Sequence, residues 1–342
     1  MPDPLAFTRL LRTPLILAPM AGGISTPELL RGASRGGALG FWPGGYQTPE
    51  QLADKLTALK RAGSSAFGVN LFVPADEFER RPEAIAAYAR ALEPEARRLG
   101  VELGSAVRVD DWFTGKVAVL TADPVAAVSF TFGLPPEAAL AALRAVGSVL
   151  IATVTNPAEA RAATQAGMDA LCVQAAVAGG HRGTFGNYPG STLPLAELLA
   201  AVREVSPLPM IAAGGISSAA ELGAALRAGA VAGQVGTAFL ASSESGASSA
   251  HRVALTAPGA RTAVTRAFTG RPARALVNEF LLRYGAEAPA AYPDVHALTA
   301  PLRRAGAAAG DASVLAMWAG TGHARARNSS AEQIASDLLS RV

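Results

Sequence analysis

The residues best placed to do chemistry lie in the run Gln174-Ala175-Ala176-Val177-Ala178-Gly179-Gly180-His181-Arg182-Gly183. Two consecutive glycines let a backbone approach a ring or a phosphate closely. A histidine directly after them presents its imidazole to whatever the glycines admit. Histidine titrates near neutrality, so His181 can act as a base or as a charge-stabilising donor. The other histidines stand in plainer surroundings: His251 in a Ser/Ala-rich helical stretch, His296 and His323 towards the C-terminus. The single cysteine, Cys172, sits in the apolar run Ala170-Leu171-Cys172-Val173 and reads as a small core residue.

The elements that must position His181 follow from the alternation of short apolar runs with longer helical patterns, the mark of parallel βαβ units. Strands are expected at Leu15–Pro19, Ala38–Phe41, Phe67–Leu71, Ala126–Thr131, Val149–Thr153, Ala170–Gln174, Pro209–Ala213 and Val231–Gly236. Helix starts are marked by a capping side chain before an N1 proline and an early acid, as in Ser25-Thr26-Pro27-Glu28, Thr48-Pro49-Glu50 and Asn156-Pro157-Ala158-Glu159. The pattern predicts an α/β fold, a (β/α)8 TIM barrel, from residues 1–73 and 124–241. Residues 74–123 and 242–342 are read as a mostly helical insertion and C-terminal extension that cap the barrel mouth. Leu276–Tyr284 and Ala331–Leu339 are the clearest helical stretches of the extension.

Chemistry in this fold sits at the C-terminal ends of the strands. Those ends carry Met20, Phe41-Trp42, Asn70, Thr131, Thr153, Gln174, Ala213-Gly214 and Gly236-Thr237, with no Asp, Glu or Lys. The three lysines (Lys55, Lys60, Lys116) lie elsewhere, which argues against a Schiff-base aldolase. Missing carboxylates argue against metal-dependent hydrolases and glycosidases, so no metal is expected. A bound cofactor should then carry the difficult step. Glycine turns after two adjacent strands, Ala213-Gly214-Gly215 and Gly236-Thr237, suit the phosphate site of the fold, built from backbone N–H groups and a helix N-terminus. Asn70 and Gln174 offer amides that match the pyrimidine edge of a flavin.

Composition supports a folded, apolar protein: 50% of the 342 residues are hydrophobic and 17% charged, with a net charge of +3. The arginines are scattered, and pairs such as Arg80-Arg81, Arg97-Arg98 and Arg303-Arg304 read as solvated helix faces, so no nucleic-acid partner is expected. Met1-Pro2-Asp3-Pro4 begins no signal peptide, and no apolar run is long enough to span a bilayer. The expectation is a cytoplasmic protein without a membrane partner.

Taken together, Ala18-Pro19-Met20-Ala21-Gly22, Gly68-Val69-Asn70-Leu71-Phe72, Ala178-Gly179-Gly180-His181-Arg182-Gly183, Ala213-Gly214-Gly215-Ile216, Gln234-Val235-Gly236-Thr237-Ala238-Phe239-Leu240 and Met317-Trp318-Ala319-Gly320-Thr321-Gly322 resemble the nitronate monooxygenase family, formerly 2-nitropropane dioxygenases. The resemblance implies non-covalent FMN, with its phosphate on Ala213, Gly214, Gly215, Gly236 and Thr237. The ring would lie against Pro19, Met20, Ala21 and Gly22, near Asn70, Gln174, Gly179 and Gly180. It further implies that an alkyl nitronate, or a nitroalkane, is oxidised by O2 through a flavin semiquinone to a carbonyl compound and nitrite. His181 would be the base, or would hold the anion. Thr131 and Tyr46 would belong to the substrate pocket. Similar family members often have a second histidine where this chain has Thr131, and a threonine cannot take a proton at neutral pH. Trp42-Pro43 before Gly44-Gly45-Tyr46 is also unusual.

The nearest rival is the FMN-dependent enoyl-acyl-carrier-protein reductase group, which shares the barrel and the glycine–glycine–histidine loop and takes hydride from NADH or NADPH. A flavin-free phosphate-binding barrel is the third reading. An isomerase of that class would want a strand-end glutamate that the rim lacks.

Overall fold

The computed structural model describes residues 5–61, 63, 66–74, 81–105 and 110–342. The leader expectation at Met1–Pro4, Arg80 of its pair, and residues 75–80 and 106–109 of the insertion lie outside these described residues.

The strands are β1 (Leu15–Leu17), β2 (Leu39–Pro43), β3 (Phe67–Phe72), β4 (Ala127–Thr131), β5 (Val149–Val154), β6 (Ala170–Gln174), β7 (Gly180–His181), β8 (Met210–Ala213), β9 (Ala232–Val235), β10 (Thr262–Thr265) and β11 (Ala273–Leu276). β1 to β6, β8 and β9 pair in parallel and close on themselves, β9 against β1, into the eight-stranded barrel of a TIM fold. The strands read as apolar runs because they are covered on both faces: every residue of β2 and β5 is buried. One set of side chains, including Ile16, Phe41, Ile151, Cys172 and Ile211, fills the barrel interior, and Phe7 from the short helix Ala6–Leu10 packs against that layer. The other set meets the surrounding helices.

Those helices begin where the sequence says they should. Thr26 accepts from the Leu29 N–H (3.0 Å) ahead of Pro27, and Asn156 from Glu159 (3.0 Å) ahead of Pro157. Thr48 and Gln51 satisfy each other's backbone N–H groups, a reciprocal capping box.

Two expectations need correction. The helix Phe113–Ala122 packs against the helices Pro49–Arg61 and Glu137–Ala145, and the helix Ala331–Leu339 against Pro27–Arg35 and Ala219–Arg227. Both therefore belong to the ring around the barrel, although their sequence ranges were assigned to the cap. The extension is also not helical throughout. β10 and β11 form an antiparallel hairpin, and β11 pairs on its other edge with β7. Ala273-Arg274-Ala275-Leu276 has an alanine-rich, helix-like composition, and cross-strand partners far away in sequence make it a strand. The cap core joins the helices Pro82–Leu99 and Asp294–Ala309 to this hairpin through Tyr88, Leu92, Phe268, Phe280, Val295 and Leu302. No helix of the described residues is long and apolar enough to cross a membrane.

Candidate functional site

A cavity of about 630 Å³ opens between the C-terminal strand ends and the cap. Pro19, Met20, Ala21, Gly22, Tyr46, Asn70, Thr131, Gln174, Gly179, Gly180, His181, Ala213, Gly214, Gly215, Gly236 and Thr237 all line it, so the residues singled out from the sequence meet in one place. Among the described residues no Asp or Glu lines it, whereas Arg303 and Arg304 do.

His181 is fixed from three sides. Its carbonyl accepts from Gln174 Nε2 (3.0 Å), its backbone pairs with Ala273 of β11, and its Nε2 lies 2.9 Å from Thr269 Oγ1. Phe132, Trp318 and Tyr292 surround the ring. Burial pushes its pKa down to about 3, and the Arg271 and Arg303 guanidiniums push the same way. The imidazole is therefore neutral at physiological pH. Arg271 is fully buried over the Phe132 ring (3.8 Å) and donates to the carbonyls of Arg182, Thr184 and Gly186.

The amides divide their work. Gln174 Oε1 accepts from Gly183 N–H (2.9 Å) and Arg182 Nη1 (3.4 Å), so with Nε2 on His181 this side chain chiefly holds the histidine loop. That is a different duty from the flavin edge expected of it. Asn70 Nδ2 donates to Ser129 Oγ (3.0 Å) and Thr131 Oγ1 (3.0 Å) at the mouth of the barrel. These bonds set the amide with Oδ1 as its free acceptor. Thr131 also lies 3.3 Å from Thr153 Oγ1, so this threonine serves to orient Asn70.

The glycine turns leave backbone donors open. Among the described residues, the N–H groups of Gly214, Gly215, Gly236 and Thr237 donate to no protein acceptor. Gly214 and Gly215 have φ of +99° and +75°, which turn the chain sharply after β8 and which only glycine adopts at little cost. Thr237 Oγ1 accepts from the Gly320 N–H (3.0 Å), tying the C-terminal segment to this turn. The expected contribution of the helix N-terminus is corrected: Glu221 caps the helix Ala219–Arg227 from within, accepting from Ser217 N–H (2.8 Å) and both serine hydroxyls. Gly179 is required for another reason. A Cβ there would stand 2.5 Å from Gly320 N, so only glycine lets these two segments touch.

Several cavity residues carried no local signal in the sequence. Arg303, read with Arg304 as a solvated face, points inward: Nε donates to Thr299 Oγ1 (3.3 Å) and Nη2 to the His296 carbonyl (2.9 Å) and Nδ1 (3.3 Å), while Arg304 is exposed. His296 stacks on Tyr46 with centroids 4.1 Å apart and planes 3° from parallel. Burial, then Arg303, pushes its pKa down to about 2. His251 also lines the cavity, with its pKa pushed down to about 4 by burial. Trp42 packs into the barrel wall and donates to Gln47, which in turn donates to the Pro43 carbonyl; the Trp-Pro pair thus shapes the turn before Tyr46. Cys172 is at the cavity floor with its thiol pushed up to about 12 by burial, which keeps it protonated.

With this geometry in hand, comparison with known proteins is informative. A family model described as nitronate monooxygenase matches residues 6–341. Probable nitronate monooxygenases of Staphylococcus aureus strains Newman and MRSA252 are 34% identical over 342 residues, covering 96% of this chain and 94% of theirs. A nitroalkane oxidase from Streptomyces ansochromogenes superposes with a TM-score of 0.94 at 46% identity, covering 98% of this chain and 97% of that one. FabK from Thermotoga maritima superposes with a TM-score of 0.75 at 24% identity, covering 98% and 94%.

Proposed function

The chain belongs to the nitronate monooxygenase family, and from that premise we propose that it binds FMN and oxidises alkyl nitronates with O2 to a carbonyl compound and nitrite. The protein is an oxidoreductase, and oxidation of a nitro compound is the reaction its relatives' names point to. The observation that carries the finer reading is a cavity that, among the described residues, has no Asp or Glu and unites four unpaired backbone N–H groups with a neutral histidine.

The residues suit FMN. The N–H groups of Gly214, Gly215, Gly236 and Thr237 would hold its phosphate, and Asn70 Oδ1 would accept from its ring N–H. When bound, FMN supplies a ring that takes electrons from substrate and returns them to oxygen. The protein does the rest. Phe132, Trp318 and Tyr46 give the cavity an aromatic wall, and a lining with no acid among the described residues favours an anion. A histidine with its pKa pushed down to about 3 is a poor acceptor for a carbon-bound proton. The cavity is therefore better suited to a nitronate, which has already lost that proton, than to a neutral nitroalkane. A negative substrate beside His181 also offsets the two guanidiniums that disfavour its protonation.

The likeness to FabK is one of fold at 24% identity and lends the enoyl-thioester reductase alternative no separate weight. The test is anaerobic mixing of the FMN-loaded protein with ethyl nitronate and, separately, with NADPH. Loss of the oxidised flavin spectrum with nitronate only, and nitrite release once air is admitted, is expected. Prompt reduction by NADPH with no response to nitronate would overturn the reading.

A further inference from the structure

The cap side of the cavity holds a group of donors that binding of FMN phosphate and ring would leave unused. Arg303 comes from the middle of the helix Asp294–Ala309 and lines the cavity with no carboxylate paired to it among the described residues. Its Nε and Nη2 are committed to Thr299 and His296, while Nη1 has no acceptor among the described residues. Because a guanidinium only donates, its 3.3 Å contact makes His296 Nδ1 the unprotonated nitrogen. The His296 proton then sits on Nε2. Tyr46, stacked on that imidazole, has a buried hydroxyl that makes no close hydrogen bond among the described residues and interacts with the Tyr292 hydroxyl. Burial pushes the Arg303 pKa down only to about 10, so the charge persists.

We infer that Arg303, His296 and Tyr46 form a planar-oxyanion site in the cap, which receives the two-oxygen end of the substrate and holds it beside His181. A guanidinium with an open N–H edge suits two oxygens on one centre, as in a nitronate, a nitrite or a carboxylate. Stacking on Tyr46 fixes the plane of the imidazole, and the Nη2 contact fixes its tautomer, so the donors are set before a ligand arrives. Arg271 behind His181 and Arg303 on the helix Asp294–Ala309, neither of them in a salt bridge among the described residues, make the local field favourable to an anion. Specificity for anionic over neutral nitro compounds would then reside in Arg303. The substrate identity rests on the proposed nitronate chemistry; the oxyanion site does not.

The test titrates the FMN-loaded protein with sodium nitrite and, separately, sodium formate, following the perturbation of the flavin spectrum. Saturable binding of at least one probe is expected. Arg303→Met should raise its Kd by about 10-fold or more and Tyr46→Phe by about 3-fold, as expected for a charged and a neutral donor. Stronger binding of nitrite marks the nitro end as the ligand, and stronger binding of formate a carboxylate; each supports the site. No saturable binding of either probe, or an unchanged Kd in Arg303→Met with native circular dichroism, overturns it. If Arg303→Met does not fold, Tyr46→Phe decides, and an unchanged Kd there is equally fatal. Nitrite binding through Arg303 in a protein inert to ethyl nitronate would sink the proposed function and leave this site standing. Nitronate turnover with an Arg303→Met KM equal to wild type would do the reverse.

Discussion

At the scale of single residues, the environment of His181 specifies which of its nitrogens is available. Thr269 Oγ1 is 3.3 Å from the Arg271 carbonyl and 3.4 Å from the Arg271 N–H, besides its 2.9 Å contact with His181 Nε2. A hydroxyl has one proton. With that proton on the carbonyl, the imidazole donates through Nε2 and offers the Nδ1 lone pair to the cavity. Thr269→Val removes the acceptor, and should slow turnover of neutral nitroethane by about 3- to 10-fold while displacing the acidic limb of its pH profile; Thr269→Ser should restore both. Nitrogen chemical shifts of His181 report the tautomer without reference to activity, and identical shifts in wild type and Thr269→Val would refute the assignment. His181→Ala separates the two substrate classes. Nitroethane turnover, slow from the outset because a pKa pushed down to about 3 makes His181 a weak base, should fall by about 10-fold or more, whereas ethyl nitronate, which needs no deprotonation, should lose less than that. Equal losses on both, measured by nitrite release, would mean that His181 acts on the anion itself.

At the scale of elements, the turn after β2 is held by a part of the chain far from it. Tyr46 has φ of +65°, a strained value for a tyrosine, and its N–H donates to Asp111 Oδ1 (2.8 Å). The other Asp111 oxygen accepts from Lys116 Nζ (2.6 Å), and Lys116, fully buried, also donates to the Gly44 carbonyl (2.7 Å). The first turn of a barrel helix thus clamps the loop that delivers Tyr46. Lys116→Met leaves Asp111 buried without its partner and should cost about 3 kcal/mol or more in denaturant unfolding. A loss under about 1 kcal/mol would show that the clamp is not structural. None of this was visible in the sequence, where Lys116 is simply a lysine absent from the rim. The local signals were good where a backbone period or a cap decides the outcome: the eight strands fall within a residue or two of their expected ends, and Thr26, Thr48 and Asn156 cap their helices. They failed where a partner remote in sequence decides. β11 is a strand because β7 and β10 flank it. Arg303 turns inward because Thr299 and the His296 carbonyl, one turn and two turns back, accept its protons, while Arg304 goes to solvent.

At the scale of the whole molecule, the cavity makes folding sensitive to acid. His181, His251 and His296 line one space between barrel and cap, and burial pushes their pKa values down to about 3, 4 and 2. An unfolded chain releases each to an ordinary value near 6.5, so below that pH the unfolded state binds more protons than the folded one. Stability is full above the unfolded pKa and falls as pH drops from about 6.5 towards the folded values. Each histidine adds a slope of up to about 1.4 kcal/mol per pH unit, and the three together up to about 4. Among the described residues, no carboxylate lines the cavity that could compensate by pairing with a charged imidazole. Thermal unfolding of the FMN-loaded protein should therefore show a Tm that is nearly level above pH 7 and falls steeply between pH 6 and 4.5. His251→Gln, which removes one of the three titrating groups, should reduce that slope by roughly a third. A Tm level down to pH 4.5 would mean that the histidines titrate normally in the folded protein, and that solvent reaches the cavity between barrel and cap.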